Sequence, residues 1–277
     1  MTIEEIIEKT LQEDTGDGDH TSLATVPQSA MGRARLIIKQ KGILAGGFLA
    51  EKVFHHLCPE LLVQLFIADG NPVQPGDIVF EVSGPARFIL TGERTILNFI
   101  QRLSGIATTT HQMVSAIEGY PAKLLDTRKT TPLLRELEKY AVRMGGGYNH
   151  RFGLYDMMMI KDNHVDFAGG IRQAIVAANE YLSHTGKSLK IEIEVRNFPE
   201  LEEVLQTGKV QRIMLDNFPP DKLAEAVRII AKRFETEASG GITLQNLREY
   251  AATGVDFISV GALTHQISSL DMSLKAF

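Results

Sequence analysis

The spacing of hydrophobic positions divides this chain into an irregular first part and a regular second part. Ile3, Ile6, Ile7 and Leu11 recur at helical spacing behind Thr2 and Glu5, which form a capping-box pattern, so a helix is predicted at the start. EDTGDGDHTS follows as a solvated, helix-capping turn. The spacing of Asp14, Asp17 and Asp19 does not suit a calcium loop, and the closing glutamate is missing. Arg33 to Lys39 and Leu61 to Ala68 read as strands, with a helix between them opened by Gly46-Gly47 and running through Val53 to Leu57. NPVQPGD turns the chain into the strand IVFEV. That pattern is half of a lipoyl or biotinyl carrier domain, but the hairpin tip lacks the lysine a carrier needs. Thr91 to Tyr120 predicts a long helix with a break at Ser104-Gly105 and a core face of Leu97, Ile100, Leu103 and Ile106. Arg94 and Arg102 are expected to share a face of it.

From Lys123 onward short apolar runs alternate with helical segments. The runs are KLL, MMMI, IEIEV, RIML, TEAS and FISV. The segments are Pro132 to Met144, Gly169 to Tyr181, Pro199 to Gln206, Pro220 to Arg233 and Thr243 to Ala251. Such alternation predicts a parallel sheet, and six or more units predict a βα barrel. The change in pattern sets a domain boundary near residue 107. Residues 1–106 form an N-terminal α/β domain and 107–265 the barrel, with the tail 266–277 able to pack on the first domain.

Bulk properties narrow the function. The net charge of −5 and the lack of a basic arm argue against nucleic acid as the partner. Cys58 is the only cysteine, which excludes an intrachain disulfide and a cysteine-based metal site. No apolar run approaches the roughly 18 residues that would cross a bilayer. The acidic, amphipathic MTIEEIIEKT is unlike a secretory leader, so a cytoplasmic location is expected. Against this acidic background, the stretch from Lys123 to His164 concentrates lysine and arginine, which points to an anionic small molecule.

The polar residues of that second part stand at the ends of the apolar runs. Asp126, Arg128 and Lys129 follow KLL, Lys161 follows MMMI and Glu194 closes IEIE. Asp216 follows RIML, Ser239-Gly240-Gly241 follow TEA, and Gly261 follows FISV. In a βα barrel all these ends open on one face, where active sites lie. Glu192 and Glu194 alternate with Ile191, Ile193 and Val195, so both point to one face, where they must meet cations, a metal or ligand hydroxyls. His150 and Arg151 follow a triple glycine and join the candidates. His20, His55, His56, His111, His164, His184 and His265 read as structural. Glycines in the last two strand-end loops let backbone N–H groups approach a phosphate. Carboxylates without histidine ligands suit magnesium arriving with substrate phosphates.

The segments ERTILNFIQRLSGIAT, DTRKTTP, GGGYNHRFGLYDMMMIKDNH, IEIEV, MLDNF, ASGGI and DFISVGALTH resemble the quinolinate phosphoribosyltransferase family, and the resemblance covers essentially the whole chain. It implies an N-terminal α/β sandwich domain and an incomplete, seven-stranded βα barrel. It also implies a homodimer, or a hexamer built from dimers, with active sites shared between subunits. The implied activity transfers the phosphoribosyl group of phosphoribosyl pyrophosphate to quinolinate with decarboxylation, in NAD biosynthesis. By the same resemblance the quinolinate carboxylates meet Arg128, His150, Arg151 and Lys161, with Arg94 of a second subunit. Lys129 faces the phosphates or pyrophosphate, Glu194 and Asp216 hold ribose hydroxyls and magnesium, and Ser239, Gly240, Gly241, Gly261 and Ala262 hold the 5′-phosphate, with Thr127 and Val260 also among the substrate-binding residues. Lys129, Lys161, Glu194 and Asp216 are the expected catalytic residues. Leu133 departs from the pattern, since the family usually has glycine after the proline. The rival readings are a molybdenum-transport-linked paralogue, which tends to lack the NHR…IKDNH cations, and a non-catalytic barrel that senses a phosphorylated ligand.

Overall fold

The computed structural model describes residues 1–277. In chain order the first elements are α1 (Ile3–Thr15), α2 (His20–Thr25), β1 (Met31–Ile38), β2 (Gly42–Ile43), α3 (Leu49–Leu57), β3 (Leu62–Leu65), β4 (Pro72–Val73), β5 (Ile78–Pro85) and α4 (Ala86–Ala116). Then come β6 (Lys123–Leu125), α5 (Arg135–Met144), β7 (Met158–Ile160), α6 (Asp162–Ala168), α7 (Ile171–Thr185), β8 (Ile191–Val195) and α8 (Phe198–Thr207). The last are β9 (Arg212–Asp216), α9 (Pro220–Ile230), β10 (Glu235–Ser239), α10 (Leu247–Ala251), β11 (Phe257–Ser259), α11 (Ala262–His265) and β12 (Met272–Ala276). They group into two units. One comprises Met1–His111, Thr130–Gly146 and Leu263–Phe277; the other comprises Gln112–Lys129 and Gly147–Ala262.

The first unit is built on an antiparallel sheet in the order β12-β1-β5-β3, so the C-terminal tail supplies an edge strand beside β1. The capping box of α1 forms as its residues require. Thr2 Oγ1 accepts the Glu5 amide at 3.2 Å and the Glu5 carboxylate accepts the Thr2 amide at 2.7 Å. Asp19 caps α2 by accepting from the Ser22 amide, and its second oxygen accepts from the Thr91 hydroxyl. The acidic run is thus a cap.

One expectation fails in this unit. Helix α4 continues through Ser104-Gly105 without a break. The serine hydroxyl accepts from the Ala45 amide and donates to the Ala45 carbonyl, and a side chain at Gly105 would overlap the Ser268 carbonyl oxygen. The pair therefore permits close packing inside a helix whose other residues keep it regular. Arg94 and Arg102 also differ in surroundings: Arg94 is exposed, while Arg102 donates to the fully buried Glu138 carboxylate at 2.7 and 2.9 Å.

In the second unit β6-β11-β10-β9-β8-β7 form one parallel sheet. The six strands stand on the six apolar runs, and a parallel bridge between Leu125 and Tyr148 adds a seventh strand position beside β6. The helical pattern also missed α6, a short helix following Lys161, whose amide is accepted by His164 Nδ1 at 2.9 Å.

Register fixes which side chains share a face, because paired residues of parallel strands point the same way. Met159 pairs with Glu192, Glu192 with Arg212, and Arg212 with Glu235. Glu194 pairs with Met214, Met214 with Glu237, and Asp216 with Ser239. One face of this sheet is therefore polar along its length, while Ile191, Ile193, Val195, Ile213 and Leu215 fill the other with buried aliphatic groups. Burial of those aliphatics supplies the driving force for the sheet, leaving the polar face to be satisfied by pairing.

Candidate active site

At the C-terminal ends of the strands the polar face carries a tier of charged groups. Lys161, one residue beyond β7, places Nζ 3.0 Å from Glu194 Oε2 near the end of β8. The glutamate side chain is 9% exposed and the lysine 47%, so the carboxylate is anchored while its cation reaches solvent. Asp216 closes β9, where one carboxylate oxygen accepts from Ser239 Oγ at 2.8 Å and the other from Asn217 Nδ2 at 2.6 Å. The ends of β7 and β8 are thereby tied in one pair, and those of β9 and β10 in another.

Gly240 follows Ser239 at φ 96°, a conformation that side chains avoid, and a Cβ there would overlap Asn217. The loop thus brings bare backbone against the Asp216-Asn217 corner. Val260 is buried, its amide donating to the Leu125 carbonyl at 3.0 Å, and Gly261 and Ala262 open α11 beside it in sequence. Gly240 and Gly241 meet the requirement for a backbone anion cradle, which is peptide groups unshielded by side chains.

After β6, Asp126 is fully buried and organises the next segment. Its carboxylate accepts from Asn149 Nδ2 at 2.6 Å and from the His150 amide at 2.8 Å. Thr127 Oγ1 accepts the Lys129 amide at 3.1 Å, holding the turn that presents Arg128 and the exposed Lys129. Arg151 is buried and donates to the Met157 carbonyl at 3.0 Å. Burial, then the charge of nearby Arg128, lowers the Arg151 guanidinium below its ordinary value. Two like charges held close in a partly dry place favour an anion between them. The 152–156 loop is pinned by Asp156, which accepts from the Phe152 and Gly153 amides at 2.6 and 2.8 Å.

Beneath this tier lies a second charged group that the sequence only half disclosed. His150 Nε2 is 2.9 Å from Glu192 Oε2 and 3.4 Å from Glu237 Oε2, and both carboxylates are fully buried. Arg212 Nη1 donates to Glu237 at 2.8 Å while its guanidinium lies 3.9 Å from the Phe257 ring centroid. Burial and then the Glu237 charge push the Glu192 carboxyl up to about 7. Burial lowers the His150 imidazole, but the Glu192 and Glu237 carboxylates outweigh it and raise it to about 9. His150 Nδ1 also accepts the Arg151 amide at 2.7 Å, a bond that a proton on Nδ1 would break.

The structure thus pairs Lys161 with Glu194 and ties Asp216 to Ser239, and Arg151 feels the charge of Arg128. Arg94 belongs to the other unit, where it is exposed on α4. Sequence reading missed Glu237 and Arg212. The alternation ETEAS carries the same signal as IEIE, two acids on one face of a strand, and could have exposed Glu237.

Residues 106–275 match the family described as quinolinate phosphoribosyl transferase, C-terminal domain, and residues 19–104 match its N-terminal domain. A probable nicotinate-nucleotide pyrophosphorylase (carboxylating) of Bacillus subtilis is 42% identical, covering 99% of this chain and 93% of that protein. A mitochondrial quinolinate phosphoribosyltransferase (decarboxylating) of Nicotiana glauca is 43% identical, covering 99% of this chain and 82% of that protein. Among solved structures, NadC from Streptococcus pyogenes superposes with a TM-score of 0.93 at 38% identity, covering 99% of this chain and 95% of the other.

Proposed function

The chain belongs to the quinolinate phosphoribosyltransferase family, and we propose that it carries out that family's reaction with the strand-end residues described above. It joins quinolinate to the ribose of phosphoribosyl pyrophosphate, releasing pyrophosphate and CO2 and leaving nicotinate mononucleotide. The observation that supports this reading of the site is the Lys161–Glu194 pair at the strand ends of the parallel sheet, with the buried Arg151 under the charge of Arg128 in the same unit.

Both substrates are polyanions, so their meeting has to be compensated. At 4 Å each pair of unit charges repels by about 4 kcal/mol at an effective dielectric near 20. Arg128, Arg151 and Lys161 supply the compensation for the diacid, with Arg94 of a second subunit completing the set in a homodimer. Lys129, exposed on its turn, faces the pyrophosphate, and the Ser239 to Gly241 and Gly261-Ala262 loops hold the 5′-phosphate through backbone N–H groups.

The pyridine nitrogen attacks ribose C1 as the bond from C1 to the pyrophosphate oxygen breaks, and pyrophosphate leaves with that electron pair. Positive charge builds on the ribose ring in the transition state. Glu194 and Asp216 stabilise it from fixed positions, which costs no reorganisation during the step. The ring nitrogen, now cationic, draws in the electrons of the adjacent carbon–carboxylate bond as CO2 departs, and a solvent proton takes the vacated position. No side chain is required as a general base.

Glu194 and Asp216 offer hard oxygen donors on neighbouring strands, which fits a magnesium ion shared with substrate phosphates. When bound, it would neutralise the charge of the leaving pyrophosphate. No helix is long and apolar enough to cross a membrane. Cys58 is single and buried, which suits a reducing compartment, and the cytoplasm is the location we propose.

The test is a spectrophotometric assay of quinolinate with phosphoribosyl pyrophosphate and magnesium, with pyrophosphate release followed separately. Quinolinate-dependent release of pyrophosphate is expected; its absence from folded protein would overturn the assignment. The shared site is checked by mixing Arg94→Ala and Lys161→Ala subunits. Partial recovery of activity is expected, and none in verified heterodimers would remove Arg94 from the partner's site.

A further inference from the structure

Helices α4 and α5 hold between them an ion pair that the reaction above leaves without a task. Arg102 Nε and Nη2 both donate to Glu138 Oε1, at 2.9 and 2.7 Å, and the glutamate side chain is fully buried. We propose that Arg102 and Glu138 are positioning residues that brace the two segments addressing phosphoribosyl pyrophosphate, the turn of Lys129 and the loop of Gly261-Ala262. This inference rests on the functional reading above.

A buried ion pair adds little stability over apolar side chains of the same volume, because taking charge out of water offsets the attraction. What it does supply is direction, since each remaining donor and acceptor must find a partner. Here those partners lie outside α4 and α5. Glu138 Oε2 accepts from the Thr131 amide at 3.1 Å. Arg102 Nη2 donates to Thr131 Oγ1 at 2.7 Å and reaches the Thr264 carbonyl at 3.3 Å. Arg135 Nε adds a bond to Thr130 Oγ1 at 3.1 Å, holding the preceding residue to the start of α5.

Both anchored residues stand close in sequence to the proposed phosphate contacts. Thr131 lies two residues after Lys129, and Pro132 restricts its backbone further. Thr264 lies two residues after Ala262 in the same short helix, α11. One guanidinium therefore holds the exits of two strand-end loops, after β6 and after β11, which are neighbours in the sheet. Lys129 and the Gly261-Ala262 amides address opposite ends of phosphoribosyl pyrophosphate, its pyrophosphate and its 5′-phosphate. The spacing of the two loops has to match that ligand, and the ion pair is what sets it.

Thr131→Val tests this, because it removes the Oγ1 acceptor while keeping the side-chain shape, the buried pair and the residue-131 amide. The phosphoribosyl pyrophosphate KM is expected to rise about tenfold, as for one lost hydrogen bond to a charged group. The quinolinate KM is expected to change by a smaller factor, since Arg128 on that turn is one of several cations proposed for the diacid. Thr131→Ser, which restores the hydroxyl, is expected to recover most of the loss. Wild-type KM values in folded Thr131→Val, an equal or larger rise for quinolinate, or no recovery in Thr131→Ser refutes the positioning role. A loss that merely follows a lowered urea midpoint refutes it in favour of a structural pair. Hydrogen exchange of substrate-free protein supplies an arm independent of the reaction. Arg102→Lys keeps a charge for Glu138 but lacks the fork, so amides of residues 127–131 and 261–264 are expected to exchange about tenfold faster. Unchanged exchange in either segment overturns the proposal. Failure of the wild-type protein to consume quinolinate would sink the functional reading instead, and the exchange result would stand apart from it.

Discussion

Replacing Lys161 by alanine should separate catalysis from stability. In the substrate-free protein Lys161 Nζ lies 3.0 Å from Glu194 Oε2. Coulomb's law at that distance gives about 1.4 kcal/mol in bulk water and about 5.5 kcal/mol at an effective dielectric near 20. The lysine side chain is 47% exposed, so solvent screening holds the pair's contribution to folding near the surface-pair range of about 0–1 kcal/mol. Substrate occupancy changes the balance, because a bound diacid and ribose displace water from around the same ammonium. Losing one desolvated charge partner then costs about 2–5 kcal/mol of transition-state stabilisation. That corresponds to a fall in kcat/KM of about 30-fold to several thousand-fold. The assay pairs steady-state kinetics with denaturant unfolding of the same Lys161→Ala preparation. The expected result is a large kinetic loss beside a stability change of about 1 kcal/mol or less. Near wild-type turnover, or a kinetic loss that merely follows unfolding, would refute the reasoning.

Three further outcomes follow from the backbone and its charges. Gly105→Ala should destabilise the first unit by about 1–3 kcal/mol in urea unfolding, because its Cβ overlaps the Ser268 carbonyl oxygen despite alanine's better helix propensity. Leu133 is 65% exposed and sits at φ 69°, so Leu133→Gly should relieve strain of about 1 kcal/mol and leave thermal stability unchanged or raised. Asp156 is held below the usual aspartate range, since the Gly153 and Phe152 amides and the Arg151 charge outweigh its burial. With the folded-state value lowered, its contribution is complete above the unfolded value and is lost as pH falls through the folded one. Proteolysis of the 152–156 loop should therefore rise below about pH 4 in the wild type, and Asp156→Asn should flatten that acid dependence.

Much of this protein was determined by short-range pattern. The six apolar runs gave six parallel strands because strand ends and βα alternation are local properties of composition and period. The alternation of Glu192 and Glu194 with aliphatic residues settled that both acids share a face and need partners. The motifs around Arg128, Arg151 and Lys161 led to the family from residue identity alone. Tertiary structure decided what the pattern could not hold. Ser104-Gly105 reads locally as a helix break, yet Ala45 and Ser268, distant in sequence, turn it into a packing site. Arg102 reads as a solvated arginine until Glu138 arrives from another helix. His150, Glu192, Arg212 and Glu237 come from four separate segments, and only strand register sets them within reach of one another. The reason is physical: period and propensity act over a few residues, whereas partnership between buried charges is fixed by which strands lie side by side.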